Sequence, residues 1–369
     1  MFSTQRFRFL ALAVVGVAVL AWSLPGRSLT DTLTYGKADL QSAGALTFGP
    51  ENILFVGDAL GAAVFALDVA DEAMAGEAPV RIENVDEKIA ALLGTTKDDI
   101  SINDIAVHST SQRVYFSVSR GQGETSMPVL LRTTGSGGLE EVSLDNIRFS
   151  KGAITNAPAP DARLRRGLAR PYAITDLAFV DGEVFVAGLS NEEFASHFRK
   201  LSFPFNDAMT STSLEIYHVS HHANETHAPI NTFTPFTLNG EPHLVATYTC
   251  TPLVTFAVKD LQNGAHVKGK TVAELGSGNR ALGMTPYEKD GQTYLLVANS
   301  RHPLMRIDPN DVADAKALEM PTEEHGVAFT ALSPEGIVRI ALINDDYVAA
   351  LQQGDGEALH LVALATDSL

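Results

Sequence analysis

Four histidines, His218, His221, His222 and His227, fall within a span of ten residues, and Glu225 stands among them. Neutral imidazole ligates zinc, copper, iron and nickel, and a loop offers such groups at short spacing. Two more histidines, His302 and His325, and the single cysteine, Cys250, fall in segments that the chain layout described below carries to the same end of the molecule. A mixed imidazole and thiolate set selects copper or zinc over magnesium or calcium. The candidate metal ligands are therefore His221, His222, His227, His302, His325 and Cys250, and copper or zinc is the cofactor they imply. Neither a His-Glu-x-x-His helix nor a paired Cys-x-x-Cys spacing is present, so a polar surface loop that happens to contain histidines is the competing reading.

The elements that must position these residues come from a pattern that recurs six times. Residues 53–58, 114–119, 184–188, 244–249, 294–299 and 337–342 are apolar runs, each closed by or followed within a few residues by a small polar or acidic residue. Some way before each lies another short apolar run, at 45–48, 105–107, 177–179, 232–236, 282–284 and 327–329. Asp181-Gly182, Asn239-Gly240 and Asp290-Gly291 separate three of these pairs, and such dipeptides are strong hairpin signals. The closing residues Asp58, Ser119, Ser190, Thr249, Ser300 and Asn344 recur at intervals long enough for four-stranded blades of ~40–50 residues. The fold this predicts is all-β, a β-propeller with six blades. Residues 33–40 and 127–162 leave room for a seventh, and a pair of β-sandwiches is the alternative architecture. Helical patterning is confined to residues 85–93 and 311–318.

A propeller brings the turn after each second strand and the loop entering each innermost strand to one mouth of its channel. On that layout the ligand-binding rim is Asp58, Asp104, Asp176, Arg280, Asn299, Arg301 and Asp345. Turns are polar for their own reasons, and a ring of salt bridges closing the propeller would use the same residue types.

Composition narrows the partners. The 369 residues carry a net charge of −17, which leaves no basic face for nucleic acid or an anionic membrane. Arg6 and Arg8 precede an uninterrupted apolar run over residues 9–22, broken by Ser23, Pro25 and Gly26. That run is shorter than the ~20 residues of a membrane span and fits a signal-peptide core. Residues 1–27 thus read as a signal peptide or an uncleaved anchor, and residues 28–369 as a single propeller domain. The expected location is periplasmic or secreted, with the membrane reached only through that N-terminal segment. One cysteine excludes an internal disulfide, so packing and sheet hydrogen bonds must hold the fold. The basic run Arg163, Arg165, Arg166 and Arg170 reads as a connection between blades held by salt bridges, or as a docking patch for an acidic partner.

The repeated strand pattern resembles that of the YVTN-type and quinoprotein-amine-dehydrogenase-like propellers exported by bacteria. Three stretches, Glu225-Thr226-His227-Ala228-Pro229-Ile230-Asn231-Thr232-Phe233, Tyr248-Thr249-Cys250-Thr251-Pro252-Leu253-Val254 and Ala273-Glu274-Leu275-Gly276 onward to Met284, resemble segments of an exported bacterial family without an assigned function. The resemblance implies the fold and carries no chemistry. From the residues alone, the leading function is binding of a small polar ligand, a metal ion or a periplasmic partner protein at the mouth. A copper- or other metal-dependent periplasmic oxidoreductase and a protein-docking scaffold are the alternatives.

Overall fold

Successive side chains of a strand point to opposite faces of its sheet, and residues 53–56 show what that does here. Ile53 and Phe55 enter one apolar cluster, while Leu54 and Val56 enter another on the opposite face. Every blade is therefore apolar on both sides, which is why its strands read as continuous rather than alternating apolar runs. The computed structural model describes residues 28–369 apart from 73–79, Ser136, Cys250 and 321–324. Residues 1–27, expected to be a signal peptide or an anchor, and Cys250 lie outside the described residues. Among the described residues no helix is long and apolar enough to cross a membrane.

Six sheets form a β-propeller, and only two α-helices, Val85–Leu92 and Pro309–Asp314, accompany them among the described residues. Numbered by first appearance, the innermost strands of blades I to VI are Leu46–Phe48, Ile100–Val107, Asp176–Val180, Ile230–Leu238, Ala281–Lys289 and Ile337–Asn344. Residues 127–162 hold the outer strands of blade II and the strand Ile147–Ala153 of blade I, so no seventh blade lies there.

The order of blades around the ring differs from their order in the chain. Ile147–Ala153, the fourth strand of blade I and itself edged by Thr34–Gly36, pairs with Ala63–Asp68 although the whole of blade II lies between them in sequence. Blade II is thus inserted into blade I, and the inner strands pack side by side in the order I, III, IV, V, VI, II. Six of the seven apolar clusters among the described residues follow the same order, one at each seam. Phe55 meets Leu177 between I and III, Val56 meets Tyr115 between I and II, and Phe116 meets Ala349 between II and VI. Phe185 meets Leu244 between III and IV, Val245 meets Leu295 between IV and V, and Leu296 meets Val348 between V and VI. Burying each large apolar side chain stabilises by roughly 1.5–3 kcal/mol, so the seams carry the fold in the absence of an internal disulfide.

Blade VI has three strands, and its outer edge is finished from elsewhere. Ile82 exchanges two backbone hydrogen bonds with Leu361, at 2.8 and 2.9 Å, and the helix Val85–Leu92 then packs Val85 and Ile89 into the seam between II and VI. The sequence pattern places this blade one strand out of frame. Residues 327–329 are not its inner strand; the neighbouring Thr330–Ala331 is the outer strand of blade V, and Ile337–Asn344 is the inner strand of blade VI. The Pro334-Glu335-Gly336 turn joins blade V to blade VI.

Candidate functional site

The inner strands enclose a channel of 1040 Å³, with Asp104, Asp176 and Arg339 as the charged residues on its wall. Asp176 opens the inner strand of blade III, and both of its oxygens reach backbone donors. Leu177 N donates to Oδ1 at 2.8 Å, and Phe233 N, in the neighbouring blade IV, donates to Oδ2 at 2.8 Å. Asp104, in blade II, plays the matching part on the other side of blade I. It accepts from Leu46 N of blade I at 2.9 Å and lies 3.9 Å from Arg339 Nε of blade VI. Arg339 also donates to the Asn103 carbonyl at 2.9 Å, so this pair sits at the closing seam of the propeller. The ring of salt bridges is present there in part, as a single ion pair.

Burial raises the pKa of both carboxyls. For Asp104 the Arg339 charge and the Leu46 and Ile105 amides oppose the rise. Asp176 is pushed up to about 7 by burial and by the charge of Asp104, against the donors at Phe233, Thr232 and Leu177. A carboxyl raised in the folded state binds its proton more tightly there than in the unfolded chain. Its stabilising contribution is therefore complete below pH ~4 and is lost as pH rises through about 7. The stability of the wild-type protein relative to Asp176→Asn is expected to fall by about 1–2 kcal/mol between pH 4 and pH 8, discounted because Asp176 is only half-buried on the channel wall. Urea denaturation of both proteins across that range measures it, and a flat difference would refute the shift.

The remaining rim residues are dispersed. Asp58 is fully buried and holds the loops at 41–42 and 61. Asn299 is buried too, accepting from Asn279 Nδ2 at 2.8 Å and donating to the Val297 and Pro303 carbonyls. Arg280 and Arg301 are exposed at the mouth, where their backbone amides donate to Ser300 Oγ and Asn279 Oδ1. Asp345 lies at the opposite end, in the turn between the first two strands of blade VI, a direct result of the frame shift in that blade. Arg339 escapes the sequence reading for the same reason. Its signal is a lone charge inside the apolar run 337–342.

No histidine lines the channel. Among the described residues one group of three His, Cys, Asp or Glu side chains brings its ligand atoms within 4.8 Å of one another: His218, His221 and Glu225. Of the predicted ligands only His221 belongs to it. His222 is exposed with φ of 52°, His227 contacts Thr226 Oγ1 at 3.0 Å, His302 stacks against Gly276, and His325 is exposed. For Glu225 burial works upward, but the imidazoles of His218 and His221 outweigh it and hold the carboxyl below its ordinary value.

A second polar cluster resembles a nucleophilic triad and serves structure instead. Ser111 Oγ and Tyr115 OH each donate to Asp71 Oδ2 at 2.8 Å, and His108 Nδ1 lies 2.9 Å from Ser111 Oγ. All four side chains are buried, away from the channel lining. They fix the chain where it leaves blade I for blade II.

No protein family matches the chain, and no curated protein sequence matches it. Solved structures resemble it at low similarity. The PQQ-bound form of an aldose sugar dehydrogenase from Streptomyces coelicolor is 12% identical, over 90% of this chain and 96% of that one, with a TM-score of 0.34. The extracellular domain of a putative hybrid two-component system from B. thetaiotaomicron is 11% identical over 89% of this chain, with a TM-score of 0.35. Raptor from Chaetomium thermophilum is 9% identical over 90% of this chain, with a TM-score of 0.39. The chain spans only 40% and 30% of the latter two. At this level of likeness no activity passes from these proteins to this one, and what stands on its own is the six-bladed β-propeller.

Proposed function

We propose that this protein is an exported binding propeller that takes a small, donor-rich polar molecule, an amine or a polyol, into its channel. The observation that carries the reading is the pair of carboxylates, Asp104 and Asp176, on the wall of a 1040 Å³ channel whose one cationic side chain is Arg339. The side-chain amides of the wall are already engaged: Asn103 Nδ2 serves the Ala43 carbonyl and Ser119 Oγ, Asn231 Nδ2 serves the Ala281 carbonyl, and Gln122 Nε2 serves the Asp98 carbonyl. Each carboxylate oxygen can accept more than one hydrogen bond, so the wall offers acceptors in excess of donors. Binding of an amine strengthens as Asp176 loses its proton, whereas binding of a neutral polyol is less sensitive to pH. Export rests on the basic and apolar pattern of residues 1–27.

Thermal-shift screening of polyamines, amino sugars and neutral sugars, followed by calorimetry on the wild type, Asp104→Asn and Asp176→Asn, tests this. A ligand whose affinity drops about tenfold or more in either variant supports the channel site. A ligand that binds all three proteins equally, or the absence of any shift across the panel, refutes it.

A further inference from the structure

We propose that His218, His221 and Glu225 form a mononuclear site for a borderline divalent cation of the zinc class, set outside the channel and independent of it. The hairpin places the ligands. Met209–His218, the outer strand of blade III, turns through Val219–His221 and returns as Ala223–Glu225, with Ile216 opposite Glu225 and His218 opposite Ala223. Residues 216 and 218 share a face of the strand, and cross-strand partners share a face too, so His218 and Glu225 meet on one side of the ribbon. His221 reaches the same point from the turn, which His222 closes in the left-handed region at φ 52°.

His218 is the anchor. Its side chain is 0% exposed, and Nδ1 lies 3.2 Å from Glu225 Oε2 without forming a hydrogen bond. The other ring nitrogen faces a built set of partners. Nε2 is 2.9 Å from Ser220 Oγ, 3.4 Å from Thr251 Oγ1 and 4.0 Å from Glu274 Oε2. Thr251 Oγ1 donates to Glu274, whose other oxygen accepts from Val219 N at 3.0 Å. With the proton on Nε2, donated to Ser220 Oγ, the Nδ1 lone pair is left beside a carboxylate oxygen 3.2 Å away that it does not point at directly. A cation held off the line between the two would satisfy both in this buried place. Tetrahedral coordination with bonds of about 2.0 Å sets ligand atoms about 3.3 Å apart, close to the separation of His218 Nδ1 and Glu225 Oε2. His221 Nδ1 is 2.5 Å from Glu225 Oε1 and its side chain is 53% exposed, so it has room to open onto the ion. Two imidazoles and one carboxylate suit zinc and disfavour calcium or magnesium, and three protein ligands with a solvent-facing side leave a fourth position for water.

The test is zinc titration, by calorimetry, of the untagged full chain stripped with chelator, beside His221→Ala and Glu225→Gln. Both changes fall on partly exposed side chains, so circular dichroism can verify that the variants remain folded. The expected result is one equivalent of zinc in the wild type, weakened about 100-fold or more in each variant, with cobalt giving a tetrahedral absorption spectrum that the variants lack. Absence of stoichiometric zinc in the wild type, or equal affinity in the folded variants, would overturn the assignment.

Discussion

Arg199→Ala is expected to lower the unfolding free energy by about 3–5 kcal/mol, the largest single effect in the molecule. The guanidinium is completely buried, in the third strand of blade III. Its fork fills three acceptors: Nε donates to Asn156 Oδ1 at 2.8 Å, Nη1 to the Ala173 carbonyl at 3.1 Å, and Nη2 to the Leu189 carbonyl at 2.7 Å. Those acceptors belong to the connection leaving blade I, the turn entering blade III and the end of blade III's second strand, so one side chain ties the seam between the two blades. Burial lowers its pKa to about 9, with Glu192 opposing, which leaves it charged at neutral pH. Alanine would strand all three acceptors, and lysine, a single point of charge, cannot replace the planar fork. Urea denaturation should therefore show Arg199→Lys recovering only part of the loss. A cost below 1 kcal/mol for the alanine variant would sink the argument.

The second large effect is expected at Asp58. Its Oδ2 accepts from Gln41 N at 2.9 Å, and its Oδ1 accepts from Ser42 N, Ser42 Oγ and Gly61 N, each at 2.8 Å. Asp58→Ala removes a fully buried acceptor and leaves three backbone amides without it, a loss of about 3 kcal/mol. Gly61 belongs to the same unit, because a Cβ there would come within 2.1 Å of Asp58 Oδ2. Gly61→Ala should thus cost a similar amount by expelling the carboxylate. The double variant should cost little more than either change alone. Full additivity in denaturation experiments would show that the two residues act separately. Ser42, Ala59 and Leu60 line the channel entrance, so both variants should also weaken channel ligands.

Much of this architecture is legible in the residue order. Runs such as 53–58 and 294–299 are too apolar on both faces to be surface strands, and Asp181-Gly182 and Asn239-Gly240 mark the hairpins of blades III and IV, where Asp181 and Asn239 do adopt positive φ. Asp104 and Asp176 are legible because a carboxylate near the start of an apolar inner strand must face either a partner or water. The ring order is not legible. Nothing in residues 147–153 says that they return to the blade begun at residue 46, since any strand of suitable length and polarity can pair at an open edge. Blade VI misleads for a related reason: its fourth strand is reduced to Ile82, far away in the chain, so counting four strands backwards from the end lands one strand early. The histidine cluster is visible as a cluster, yet His218 stands apart from its neighbours only through burial. The Glu274 carboxylate behind it arrives from the outer strand of blade IV, at a separation no local spacing rule spans.

The inserted blade also sets a schedule for synthesis. Blade II is complete once the ribosome has passed residue 142, but the flank carrying Val114, Phe116 and Leu131 meets early only the short helix with Val85 and Ile89, and the rest of its cover, Ala349, Leu351 and Leu361, comes near the end of the chain. Such long-range closure is slow, because the entropy of a very large loop is lost before the contact forms. The nascent chain therefore carries a partly uncovered apolar face through most of its translation. Blade II is where a holding chaperone would engage, and a chain stopped short of residue 347 would leave that face covered only in part.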